Sequence, residues 1–157
     1  MHIHKFEKIW LIFGIATLVV FLTTVGIGAF AMGHQPASNI ETIDPEKVNE
    51  TAPFDKPGVK KIADNKYEVV IVTSAFMFTP NKIEIPKGAE VVFKVTTTDV
   101  VHGFSIAGTN VNMMIEPGYI SSYTQVFNNV GEYLILCNEY CGAGHHMMNA
   151  RVEVVEQ

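Results

Sequence analysis

The sequence predicts an all-β sandwich carried behind one N-terminal transmembrane helix. Three observations predict it: a charge-free apolar run near the start, a series of short β-branched and aromatic runs from Tyr67 onward, and turn residues between those runs. A chain of 157 residues supports one core but not two comfortable ones. Its hydrophobic fraction of 48% is high beside 17% charged residues, and the excess sits at the front.

The run from Ile9 to Met32, "IWLIFGIATLVVFLTTVGIGAFAM", has 24 residues without a charge. As a helix it would extend about 36 Å and cross a hydrocarbon core about 30 Å thick. The small-x-small triplet "AFA" at 29–31 resembles a signal-peptidase site, but the apolar region is longer than the roughly 7–15 residues of a signal core, so a retained anchor in a lipid bilayer is expected. Lys5 and Lys8 flank the helix on one side, while the first stretch after it, "GHQPASNIETIDPE", has three acids and no Lys or Arg. Residues 1–8 are therefore expected in the cytoplasm and residues 33–157 on the outer face of a cell membrane, in a prokaryote. That outer part carries nine basic against fifteen acidic residues, a balance that argues against nucleic acid as a partner.

Residues 33–65 are rich in Pro, Asn, Asp and Lys with little apolar periodicity, and read as a linker with an irregular lead-in. The folded domain is expected over 66–157. Its strands are expected at 67–76, 82–86, 90–97, 102–107, 121–127, 131–137 and 149–156, with turns at "PKG", "EPG" and "NNVG". In "EVVFKV", Val91, Phe93 and Val95 should face one side, and in "RVEVVE" Val152 and Val154 should do the same.

Chemistry concentrates in "LCNEYCGAGHHMM", residues 136–148, which holds both cysteines of the chain. It forms the loop between two expected strands, where irregular backbone can bring close side chains together. A Cys137–Cys141 disulfide would close a very small loop and leave His145 and Met148 unexplained. Structural zinc favours Cys-x2-Cys pairs and has no use for a thioether. A copper-chaperone dithiol would carry proline after the second cysteine in a thioredoxin-like fold, and here Gly142 follows in all-β surroundings. Copper suits thiolate, imidazole and thioether together.

Cys141, His145 and Met148 supply three donors of a blue-copper site. A second histidine must come from elsewhere. His2 and His4 lie before the helix, His34 lies at its exit, and His146 adjoins His145, which leaves His102. A membrane-anchored mononuclear blue-copper carrier would then make Cys137 surplus. Two bridging thiolates instead give each of two coppers both sulfurs, one histidine and one weak axial donor. Met148 would serve one ion, and the backbone carbonyl of Glu139 the other.

These residues resemble the subunit II family of haem-copper cytochrome c oxidases. The matching elements are "DVVHGF" (99–104), "EPG" (116–118), "GEY" (131–133) and "CNEYCGAGHHMM" (137–148), and the likeness spans nearly the whole chain. It implies a cupredoxin-like Greek-key β-sandwich holding a binuclear CuA centre on His102, Cys137, Glu139 (through its carbonyl), Cys141, His145 and Met148. It also implies a magnesium ion on the Glu139 side chain at the boundary with subunit I. Cytochrome c would be the electron donor, subunit I the acceptor, and a further small membrane subunit a companion. The single helix is similar to the ba3 type. The family's surface tryptophan is missing, since Trp10 is the only Trp and lies in the membrane run. The stretch "AFMFTP" (75–80) takes a comparable place, so Phe76 or Phe78 is expected where electrons enter. The chain alone would catalyse nothing; it would relay electrons inside an oxidoreductase and translocase.

Overall fold

A computed structural model describes residues 3–32 and 38–156, with the side chains of 38–40 left aside, and divides the chain into two compact units, Met1–Pro36 and Ala37–Gln157. His2 and His34, read as polar flanks, lie outside the described residues. Each unit is built by a different rule.

The first unit is one helix, α1 (Lys5–Phe30). Apolar side chains surround it on all sides, and none of them is buried within the chain, as suits a helix solvated by lipid. At 26 residues it is long and apolar enough to cross a membrane. Its hydroxyl groups are satisfied internally. Thr17, Thr23 and Thr24 donate to the carbonyls four residues earlier. His4, read as a flank, caps the helix: its Nδ1 accepts from the Phe6 amide, and Glu7 Oε2 accepts from the His4 amide at 2.8 Å.

The second unit is a two-sheet sandwich with eleven strands among the described residues. They are β1 (Ser38–Thr42), β2 (Gly58–Ala63), β3 (Lys66–Ser74), β4 (Met77–Thr79), β5 (Lys82–Pro86), β6 (Glu90–Thr97), β7 (His102–Ile106), β8 (Asn112–Ile115), β9 (Tyr119–Val126), β10 (Gly131–Leu136) and β11 (Asn149–Val155). One sheet runs β1-β9-β6-β3-β2 with β4 on β3, and the other runs β5-β11-β10-β7-β8. Parallel pairs β3·β6 and β5·β11 sit among antiparallel ones. The alternation of β6 is realised, with Val91, Phe93 and Val95 fully buried. Across the gap they meet Phe104, Ile106, Ile135 and Val152, and Phe93 lies 5.7 Å from Phe104. The seven expected strands are all present, with ends shifted by at most two residues.

The stretch 33–65 departs from the expected linker. Its described part contributes β1, which pairs with β9, and β2, which pairs with β3. Between them Ile43, Val48 and Phe54 bury themselves against Val70 and Val72. The physical reason lies in β3, where Val69 to Val72 are all buried, so that both faces of the strand need cover. The lead-in supplies the cover for the face turned away from the sandwich core. Phe54→Ala should therefore destabilise the metal-free chain by about 3–5 kcal/mol. Thermal or urea melting checks this, because a free linker residue would leave the transition unmoved.

Candidate metal centre

Two connections bring the chemistry together. The link from β6 to β7 carries Asp99 and delivers His102 as the first residue of β7. The β10–β11 loop carries Cys137 to Met148, and its base is closed by the Cys137 amide donating to the Met148 carbonyl at 3.3 Å. A 3₁₀ turn over His145–Met147 reverses the chain so that His145 and Met148 face inward while His146 and Met147 stay exposed. His102, Cys137, Cys141 and Met148 are all buried, and His145 is half-buried.

The donor atoms converge. Cys137 Sγ lies 3.8 Å from Cys141 Sγ, and both cysteines are free. That separation is far beyond a disulfide bond of about 2.05 Å. Each sulfur has its own imidazole: Cys137 Sγ is 3.9 Å from His102 Nδ1, and Cys141 Sγ is 3.6 Å from His145 Nδ1. Each also has a weaker neighbour, since Cys137 Sγ is 3.2 Å from the Glu139 carbonyl and Cys141 Sγ is 3.8 Å from Met148 Sδ. With metal–sulfur and metal–nitrogen bonds of about 2.3 and 2.0 Å, one ion spans any of these gaps between strong donors. The set of His102, Cys137 and Cys141, whose ligand atoms lie within 4.8 Å of one another, fits a soft metal.

Supporting groups fix the donors. His102 Nε2 meets Asp99 Oδ1 at 2.8 Å, which orients Nδ1 toward the sulfurs. Burial acts to raise the Asp99 carboxyl, but hydrogen bonds from His102, the Ala75 and Val100 amides and the Thr97 hydroxyl outweigh it and hold the group below the usual carboxylate range. The Gly103 amide donates to Cys137 Sγ at 3.5 Å. No side chain fits at Gly103, because a Cβ there would stand 2.7 Å from the Asn138 nitrogen and 2.8 Å from that of Glu139. Asn138 in turn donates to Asn112 Oδ1 at 3.0 Å, tying the cysteine loop to strand β8. Sequence reasoning did not find the roles of Gly103, Asn112 and Asn138, because they act through backbone proximity and leave no spacing signal.

The six expected ligand residues are thus brought together. Glu139 contributes its carbonyl inward and holds its side chain exposed, beside a cleft of about 260 Å³ lined by Gly103, Met113 and Asn138. Phe76 is 38% exposed at the rim of the site. Phe78 is not at the surface as expected: it is 1% exposed and packs edge-on against Phe104 at 5.7 Å, so it is a core residue. Tyr140, which sequence reasoning passed over, is 76% exposed and stands edge-on to the His145 ring at 5.9 Å.

Burial, reinforced by the hydrogen bond and charge of Cys137, pushes the Cys141 thiol from 9.0 up to about 11. The folded metal-free chain therefore holds this proton where the unfolded chain releases it. Stability carried by the group is complete below pH 9.0 and is lost as pH rises through about 11. Denaturant melts of the metal-free chain across that interval should show the decline. A metal that binds Cys141 must displace the proton, so uptake should strengthen as pH rises and should release protons measurable in weak buffer. Gly103→Ala should cost about 1–3 kcal/mol by crowding the cysteine loop, and should weaken metal uptake more than it lowers the melting temperature.

Comparison with known proteins agrees with this geometry. The family model for "Cytochrome C oxidase subunit II, periplasmic domain" matches residues 31–155. A cytochrome c oxidase subunit 2 of Thermus thermophilus is 41% identical over 155 residues, covering 96% of this chain and 92% of its own length. A second such subunit, also from Thermus thermophilus, is 43% identical over 126 residues, covering 79% and 93%. Among solved structures, a chain of a haem-copper terminal oxidase dimer superposes with a TM-score of 0.80 at 29% identity, covering 96% of this chain and all of that one.

Proposed function

The chain belongs to the cytochrome c oxidase subunit II family, part of an oxidoreductase complex, and on that premise we propose that it carries a binuclear CuA centre that takes electrons from a cytochrome c and passes them to haem in subunit I for oxygen reduction and proton pumping. The observation that carries the reading is the pair of free thiols 3.8 Å apart, each beside its own imidazole. A mononuclear blue-copper site has one thiolate and leaves Cys137 without a task.

Cys137, Cys141, His102 and His145 would hold the copper, with Met148 and the Glu139 carbonyl as weaker donors. When bound, the copper pair supplies a one-electron store. The protein's contribution is rigidity. The Asp99 carboxylate holds the His102 ring, the Gly103 amide holds Cys137, and the closed base of the loop holds Cys137 to Met148. Donors fixed in this way move little when the charge on the site changes, so little rearrangement opposes transfer. Burial of Cys137, Cys141 and Met148 keeps water from competing for the metal.

The exposed Glu139 side chain would hold magnesium against subunit I, and the half-exposed Phe76 would lie on the side where the donor docks. The helix would be a single-pass anchor with its amino end in the cytoplasm, similar to the ba3 type, placing the β unit on the outer face of the membrane.

Metal quantification on the full chain in detergent should return two coppers per chain, with electron-spin hyperfine structure from two equivalent nuclei. One copper per chain would refute the reading. Cys137→Ser should abolish the two-nucleus signal, whereas a mononuclear site on Cys141 would survive it.

A further inference from the structure

The turn between β3 and β4 touches both halves of the ligand set. Ala75 donates its amide to Asp99 Oδ2 at 2.6 Å, and the other oxygen of that carboxylate meets His102 Nε2 at 2.8 Å. The next residue, Phe76, lays its ring on the loop that carries Cys141 and His145. A Cβ on Gly142 would stand 3.0 Å from Phe76 Cε1 and 3.1 Å from Cζ, and one on Gly144 would stand 2.6 Å from Cγ and 2.8 Å from Cε2.

The two glycines differ in what else they require. Gly142 has φ +129°, a conformation L side chains seldom adopt, so it would be glycine in any case. Gly144 has φ −91° and ψ 6°, open to other residues on backbone grounds. Its missing side chain answers to the ring above it. Gly144 is buried under the ring of Phe76, a residue that is 38% exposed, so Phe76 is a cover seated on the loop and not a core residue. The turn is anchored on its far side by the pairing of Met77 with Ser74 and by the burial of Phe78.

We infer that Phe76 is a positioning residue for the metal-ligating loop: its ring clamps Gly142 and Gly144 and fixes Cys141 and His145, while the adjoining Ala75 amide fixes His102 through Asp99. One turn thereby braces both the loop that carries three of these thiol and imidazole groups and the one imidazole, His102, that comes from a separate part of the chain. This role differs from a contact with the electron donor. Its consequences for metal rest on the copper reading above, but the contact itself does not.

The test has a metal-free arm and a copper arm, both on the full chain in detergent. In the first, wild type, Gly144→Ala, Phe76→Ala and the double variant are melted without metal. Gly144→Ala should lower the melting temperature by about 4 °C or more while the ring is present, and by much less in Phe76→Ala, where the space beneath the ring is vacated. Additive shifts would overturn the clamp. In the second, copper release to a chelator should be about tenfold faster in Phe76→Ala, with an altered hyperfine pattern, and Phe76→Tyr should restore both. Unchanged release and hyperfine pattern, with only electron uptake from a reduced donor slowed, would also overturn it. A wild-type chain that takes up no copper pair refutes the functional reading alone, because the non-additive melting does not depend on metal. Should Phe76→Ala fail to fold, Phe76→Leu replaces it in both arms with the same expected signs.

Discussion

Two buried thiols kept 3.8 Å apart and unbonded are the constraint around which the rest of the β unit is arranged. Three residues separate them in sequence, close enough that a small backbone adjustment would let them oxidise to a disulfide. The structure resists that adjustment from several sides. The Gly103 amide and the Glu139 carbonyl engage Cys137, and the tight turn at His145–Met147 sets Met148 against Cys141. Neither sulfur can travel toward the other without breaking a contact of its own. Ordering such a loop costs conformational entropy, and a stiff pair of strands at its two ends is what offsets that cost.

The sandwich provides that stiffness through a division of labour between its sheets. The sheet of β10 and β11 presents the loop, in an unbroken antiparallel ladder from Gly131 to Leu136. The other sheet governs the histidine that must meet it. Buried Thr97 at the end of β6 donates to Asp99, and Thr73 of β3 donates to the Thr96 carbonyl, so strand ends of one sheet orient a side chain that works on the other. Phe104, two residues beyond His102 on the same face of the pleat, locks β7 between Phe78 and Phe93. A core aromatic and a candidate metal ligand thus share one short strand.

Much of this was legible in the sequence because strands with one wet face announce themselves by alternation, as in "EVVFKV", and because soft donors are rare enough to count. The loop with five of the six expected ligand residues, and His102 as the sixth, followed from those two signals. The two strands within 38–63 were missed because they are short, edge-lying and separated by a proline-containing connection, and the burial of that connection depends on only a few residues such as Val48 and Phe54. The signal was elsewhere, in the unalternating "VVIV" of β3, which cannot be wet on either side. Strands β4 and β8, of three and four residues, are too short for any period to register. Phe76 and Phe78 share a parity that would put both on one face, but β4 starts only at Met77, so the chain turns between them and sends one ring to the rim and the other to the core. The close approach of Gly103 to Asn138 is a property of tertiary contact alone.

The placement of the donors along the chain has a consequence for biogenesis. Cys137, Glu139, Cys141, His145 and Met148 fall within twelve consecutive residues, whereas His102 arrives only when β7 pairs with its neighbours. An unfolded chain therefore already offers two thiols, an imidazole and a thioether to a passing ion. Any affinity of the unfolded chain subtracts from the stabilisation that metal gives the fold. For a metal held on this donor set, the preference for the native state would be carried largely by one buried imidazole and by the strands that bring it in, and His102 would be the residue through which metal occupancy reports completed folding.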